Sequence, residues 1–245
     1  VIFPLEPLYK RKGIGYKQAK AVSFHPEGDG SEPKPYILVE GVFGDNLGKQ
    51  EKVTYDYLIN ATGPKLAFDM TEGLVPETNK VYSVCTYDHA EKASEALHKL
   101  IDQLKKSDKK TKILIGTGHA KATCQGAAFE YILNVEKELQ KFGVRDKAEI
   151  TWISNEYELG DFGMDGMLME YNGFNMKSKD MVEMIFEDRD IKWILGAGVN
   201  KVEDGLVHYE NLEGEYKTET FDFGMLIPAF SGHGFQAYDK DGHNI

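Results

Sequence analysis

The sequence predicts an α/β protein whose central part is a parallel sheet, framed by β-rich segments at both ends. Three observations predict it. Between residues 111 and 156, a short apolar strand (TKILIG), a glycine-bearing turn, an amphipathic helix and a second strand (AEITWISNE) follow in the order of a βαβ unit. Such a unit demands a right-handed crossover and parallel pairing. The first 66 residues hold strand-like runs separated by polar turns rich in Gly and Pro. Finally, one pattern occurs twice. Hairpin-like strands lead into VTYDYLINATGP and again into ETFDFGMLIPAFSG, each with an aromatic–Asp pair (Tyr55–Asp56, Phe221–Asp222) ahead of an apolar run that ends in small residues. A pattern used twice points to two related α/β units.

Taken in order, AKAVSFHPEG, PYILVEGVF and KVTYDYLINATG are three strands of a meander, joined by GDGSEPKP and GDNLGKQ. A linker spans residues 65–84. DHAEKASEALHKLIDQLKKS reads as a helix, because Ala93, Ala96, Leu97, Leu100, Ile101 and Leu104 recur at helical spacing. Asp88 is its expected N-cap, with Glu91 three residues on. GAAFEYILNVEKELQKFG is a second helix, amphipathic through Phe129, Ile132, Leu133, Val135, Glu136 and Leu139, with Gly143 as its stop. KDMVEMIFEDRD and DIKWILGAG are a further helix and strand, and the segment after them is strand-rich again. The expected domain boundaries are 1–66, 67–224 and 225–245.

Composition excludes several functions. A net charge of -11 argues against a nucleic-acid surface, which needs clustered Lys and Arg. No run approaches the length of a membrane span, and VIFPLEPLYK lacks the layout of a signal peptide. The chain opens without Met and stops at GHNI, so it is expected to be a piece of a longer protein, soluble as a piece. The two cysteines, Cys85 and Cys124, stand in no CxxC or Cys/His spacing, so no metal is expected.

Three segments could carry chemistry. YDYLINATGP places Ala61, Thr62 and Gly63 after an apolar strand, small enough for the backbone to lie against a bound cofactor. IGTGHAKATCQGAAFEY starts as a dinucleotide fingerprint does, with Gly116 and Gly118, but Lys121 stands where the third glycine belongs. The acid expected about 20 residues on is also displaced, to Glu156 at the end of the next strand. This describes a Rossmann-like domain with a decayed nicotinamide site, in which both glycines serve packing. Cys124 lies at the start of a helix, where free N–H groups favour a thiolate. Cys85 precedes a helix start and is followed by His89, while Glu130 lies six residues beyond Cys124. Two sulfurs, a His and a Glu beside a flavin would form a redox site. Taken singly, each cysteine reads first as a small buried hydrophobe, and His89 as a surface helix residue.

YSVCTYDHA, CQGAAFE, MLIPAFSGHGF, EPLYKR and YKQAKAV together resemble the sulfide:quinone oxidoreductases. The resemblance covers most of the chain; residues 165–219 are generic. It implies a tandem dinucleotide-binding (Rossmann-like) architecture, with a central parallel-sheet domain beside the β-rich parts of an incomplete flavin domain. It implies FAD in the complete protein, no metal and no NAD. Cys124 would be the redox cysteine facing the flavin, and Cys85 the early cysteine beside it, linked to the flavin in some members. Glu130 would be the acid/base and His89 would assist proton movement. Ala61, Thr62, Gly63 and Pro64 would mark the exit from the flavin domain, and Pro228 and Phe230 the approach to the isoalloxazine and quinone. The implied partners are sulfide or another small sulfur species and a quinone. Peripheral membrane attachment and any homo-oligomer would use parts outside this chain. The chain departs from the family at Asp161, which replaces a His in a G-H-[LF]-G setting. The flavin's GxGxxG and a third cysteine lie outside it, so alone it is expected to hold FAD weakly. Two other readings are a type II NADH:quinone dehydrogenase, which would need an intact nicotinamide fingerprint, and a non-catalytic α/β binding domain.

Overall fold

The computed structural model describes residues 3–171 and 173–245. The chain divides into two compact units, Val1–Gly63 with Gly232–Ile245, and Pro64–Ser231.

In the first unit a short helix α1 (Leu5–Arg11) precedes an antiparallel meander of β1 (Ala19–His25), β2 (Tyr36–Gly41) and β3 (Gln50–Thr54). The two-residue strand Gln236–Ala237 joins β1 in parallel. The connection from β1 to β2 is held by Asp29, whose carboxylate accepts the amide N–H groups of Ser31 and Glu32 and the Tyr36 hydroxyl. Gly28 makes that turn at φ +70°, where a Cβ would collide with the Glu32 carbonyl. The third strand is shorter than its sequence suggests. Thr54 pairs with Tyr36, the first residue of β2, so the ladder is exhausted there. The apolar run expected to continue it finds no pairing strand among the described residues, and Tyr57 and Ile59 are 95% and 89% exposed.

The second unit begins with β4 (Lys65–Ala67), β5 (Val81–Tyr82), α2 (Tyr87–Lys105), β6 (Thr111–Thr117), α3 (Gln125–Lys141) and β7 (Ala148–Ile153). A hairpin of β8 (Leu168–Tyr171) and β9 (Phe174–Lys177) leads to α4 (Ser178–Asp188) and β10 (Ile191–Ile194). Three antiparallel strands follow, β11 (Gly198–Glu203), β12 (Leu206–Glu210) and β13 (Tyr216–Thr220), and then β14 (Phe223–Ile227) and β15 (Ala229–Ser231). Five strands form one parallel sheet in the order β10-β7-β6-β14-β5. Its central strands are apolar on both faces because both faces are covered. Ile113, Ile115, Phe223, Met225 and Ile227 meet Leu97 and Ile101 of α2, Ile132 and Val135 of α3, and Phe186 of α4. The alternate residues Leu114 and Leu226 meet Val199, Val207 and Tyr209 of the three-stranded sheet.

The return to the first unit comes later than residue 225. Phe223–Ile227 pairs along its whole length with β6, and Ala229–Ser231 pairs with β4, which keeps the chain in the second unit through Ser231. The start of α2 also shifts. Thr86 occupies the N-cap, and Asp88 sits in the first turn with its carboxylate accepting the Thr86 hydroxyl at 2.6 Å. Gly143 ends α3 at φ +68°, and its N–H donates to the Gln140 carbonyl.

Candidate active site

A parallel sheet delivers the C-terminal ends of all its strands to one edge, and ligands of such sheets bind where the strand order reverses. Here the chain passes from β6 outward to β7 and β10, while β14 and β5 lie on the other side. The exits of β6, β14 and β5 are therefore neighbours at the reversal. The β5 exit carries Ser83, Cys85 and His89. The β6 exit carries the turn 118–123 and Cys124. The β14 exit carries Pro228 and Phe230.

Both cysteines are free and half-buried, and both pack with Phe230 against the same core cluster. Burial pushes the Cys85 thiol up, the Ser83 hydroxyl draws it back down, and the Cys124 sulfur raises it further. Ser83, itself buried, accepts the Cys85 N–H at 3.2 Å. Cys124 occupies the N-cap of α3 and makes no side-chain cap bond. His89 lies in the first turn of α2, edge-on to Phe68 at 5.7 Å, with its Nδ1 buried and unpartnered among the described residues.

The other expected site residues each have their own surroundings. Glu130 is exposed on α3, six residues from Cys124, so the helical period turns the two residues to different faces. Ala61, Thr62, Gly63 and Pro64 are exposed. Thr62 donates both its N–H and its hydroxyl to Asn60, and Gly63 turns the chain at φ +72°. Pro228 is buried and Phe230 half-buried. Asp161 closes its own loop, accepting the N–H groups of Met164 and Asp165. In the first unit Asp239, Asp241 and His243 bring ligand atoms within 4.8 Å of one another. Both Asp239 oxygens are already engaged, by the N–H groups of Asp241 and His243 and by the His243 ring.

The turn after β6 is not arranged as a pyrophosphate cradle. Gly118 N–H donates to the Ile227 carbonyl at 2.7 Å, Lys121 N–H to His119 Nδ1 and Ala122 N–H to the His119 carbonyl. A Cβ on Gly116 would collide with the Ile153 carbonyl, and one on Gly118 would lie 2.7 Å from Leu74. Both glycines therefore serve close packing. The Glu156 carboxylate is buried and accepts from the Ser154 hydroxyl at 2.7 Å and the Phe162 N–H at 2.6 Å. Turned inward, it does not present itself to a ribose.

Sequence reasoning missed Ser83, Gln125 and Asn155. Gln125 is 4% exposed, and its Nε2 donates to the Ala122 carbonyl and to Asn155 Oδ1. Its place beside Cys124 was the one available signal. Nothing local marks Asn155, which reaches Cys124's loop from the neighbouring strand.

No family model matches the chain. A sulfide-quinone reductase of Aquifex aeolicus (strain VF5) is 32% identical over 229 residues, 94% of this chain and 46% of that protein. The solved structure of the sulfide:quinone oxidoreductase from Aquifex aeolicus superposes with a TM-score of 0.72 at 31% identity, over 94% of this chain and 46% of that one. The chain thus spans about half the length of these relatives. NDH2 of Plasmodium falciparum, solved with NADH, matches at a TM-score of 0.56 and 16% identity over 90% of this chain and 42% of its own, a likeness of fold alone. Over the stretch that it spans, about half of their length, the chain is similar in sequence and fold to sulfide:quinone oxidoreductases.

Proposed function

We propose that this chain is the central part of an FAD-dependent enzyme that oxidises sulfide at cysteine and delivers the electrons to a quinone. One observation carries the reading: the exits of three adjacent parallel strands bring Cys85, Cys124, His89, Pro228 and Phe230 to one sheet edge. The chemistry at that edge suits a flavin. It offers two sulfurs, an imidazole with an unused buried nitrogen, and apolar or small residues against which a flat ring can lie.

Within the second unit, Pro64, Pro228 and Phe230 are proposed as flavin contacts; within the first, the resemblance assigns the same role to Ala61, Thr62 and Gly63. When bound, FAD supplies a two-electron acceptor that can be reoxidised by quinone. Cys124 would carry the sulfur taken from sulfide as a persulfide, its S–S bond forming only as two electrons pass to the bound FAD and the thiol and sulfide release two protons. Cys85 is the second sulfur, its thiol pushed up by burial. His89 and Glu130 move protons, His89 from within and Glu130 from the exposed flank. In net terms sulfide loses two electrons, and the quinone takes up these and two protons. None of the described helices is long and apolar enough to cross a membrane, so access to a quinone in a bilayer is proposed to come through peripheral attachment.

The test uses the intact flavin-loaded enzyme. Sulfide should bleach the flavin absorbance anaerobically, NADH should leave it unchanged, and Cys124→Ser should abolish the sulfide response. Full sulfide-dependent bleaching in Cys124→Ser would overturn the assignment, and rapid bleaching by NADH would favour a nicotinamide-dependent enzyme of the same fold.

A further inference from the structure

Cys124 has no side-chain hydrogen bond at its cap, so its sulfur is placed by its backbone and by packing against the core. The turn that precedes it and the side chain of the residue that follows it are tied to one residue of the next strand's exit. Asn155 Nδ2 donates to the carbonyls of Ala120 at 2.8 Å and Ala122 at 3.0 Å. Asn155 Oδ1 accepts from Gln125 Nε2 at 3.0 Å, and the Asn155 N–H donates to Thr117 Oγ1 at 3.0 Å. Gln125 Nε2 donates in turn to the Ala122 carbonyl at 3.1 Å. One residue thus joins the end of β6 through its backbone N–H, and the turn and the first residue of α3 through its carboxamide.

We propose that Asn155 is a positioning residue for Cys124, fixing the turn so that the sulfur is presented at the sheet edge in a single orientation. The proposal rests on the reading of Cys124 as the attacking sulfur. It explains why the turn keeps two glycines of a nucleotide fingerprint without the open N–H groups that a phosphate needs. Its Ala120 and Ala122 carbonyls are braced from the exit of β7, and the N–H groups of Gly118, Lys121 and Ala122 are engaged by Ile227 and His119, which gives a rigid mount for a side chain where a phosphate-binding turn would offer an anion cradle. Preorganising one reacting atom matters kinetically, since small misplacements of reacting groups cost orders of magnitude in rate. The Nδ2 donors carry the brace. Asn155→Asp retains size and the acceptor for Gln125 but removes both bonds to the turn carbonyls, and its carboxylate repels them.

The experiment compares wild type, Asn155→Ala, Asn155→Asp and Cys124→Ser in the intact flavin-loaded enzyme. Three quantities are read: kcat and KM for sulfide, the rate and pH profile of iodoacetamide modification at Cys124 by peptide mass mapping, and flavin content. Both Asn155 variants should retain flavin and lose at least about tenfold in kcat, with a smaller change in KM and an altered Cys124 modification profile. Should Asn155→Ala fail to fold, the near-isosteric Asn155→Asp decides alone. Wild-type kcat and an unchanged modification profile in Asn155→Asp, with Cys124→Ser inactive, would overturn the proposal and leave the role of Cys124 standing. Full activity in Cys124→Ser would instead remove the reading on which the proposal rests.

Discussion

Glu136 offers the sharpest stability test, because it is a charge buried on the helix that presents Cys124. Its residue is wholly inaccessible. Its carboxylate accepts from Arg189 Nη1 at 2.6 Å and lies 3.6 Å from Arg145 Nε. Arg145 also donates to the backbone carbonyls of Ala148, Arg189 and Asp190, tying the ends of α3 and α4 to the edge of the sheet. Removing one partner of a buried pair costs about 3–5 kcal/mol, because the remaining charge is stranded. In Arg145→Ala the carboxylate keeps Arg189, which is 38% exposed and hydrated. The lower end of that range, about 3 kcal/mol, is therefore expected. For a unit of this size that corresponds to a fall in Tm of about 6–12 °C. Adding Glu136→Leu removes the stranded charge and fills its place with apolar atoms. The double variant should then recover at least about 1 kcal/mol over the single one. Differential scanning calorimetry of the flavin-loaded enzyme measures both. A single variant that melts within about 2 °C of wild type, or a double variant less stable than the single, would refute the stranded-charge reasoning.

Gly118→Ala places a Cβ 2.7 Å from Leu74 and 3.1 Å from the Leu226 Cβ; overpacking of this kind should cost about 1–3 kcal/mol in denaturant unfolding, and an unchanged midpoint would deny the packing role. Burial raises the Glu156 carboxyl above its ordinary value despite the hydrogen bonds that lower it. The folded state therefore holds this proton more tightly than the unfolded state. Its stabilising contribution is complete below the ordinary carboxylate pKa and is lost as pH rises through the folded value. Glu156→Gln should flatten that part of the stability–pH curve, and an unaltered slope would show that the carboxylate stays ionised throughout. Because burial pushes the Cys85 thiol up, its alkylation should rise only at higher pH than a free cysteine requires. Ser83→Ala should delay it further, and alkylation at the free-thiol rate at pH 8 would contradict the burial.

The parallel core was legible because period and burial agree along it. Ile113, Leu114 and Ile115 alternate faces and yet all are apolar, as a strand covered on both sides must be. The α2 stripe of Ala93, Leu97, Ile101 and Leu104 is buried as its spacing requires, and Gly143 stops α3 through its positive φ. The twin apolar runs were legible as a pair but not in their fates. FGMLI becomes a strand because β6 and β5 flank it, while YLIN has the same pattern and no neighbouring strand among the described residues. A strand's sequence describes the surface it can bury, and only the presence of partners makes it a strand.

The candidate site was legible as a set of residues and not as a place. Cys85 and Cys124 are 39 positions apart in sequence, with Phe230 farther still, and what unites them is the insertion of β14 between β6 and β5. No local signal specifies that a strand from the end of the unit should enter between two from its beginning. The brace around Cys124 was invisible for the same reason, since Asn155 belongs to a different strand exit. Glu136 shows the converse error. Read as one member of an amphipathic stripe, it is a carboxylate whose burial becomes tolerable only once Arg145 and Arg189 arrive from other elements. Periodicity reports that a face is covered; the chemistry of that face depends on residues that only the topology brings. Function in this fold therefore follows strand order. Any change that expelled β14 from the sheet would separate the two sulfurs without altering either cysteine's sequence neighbours.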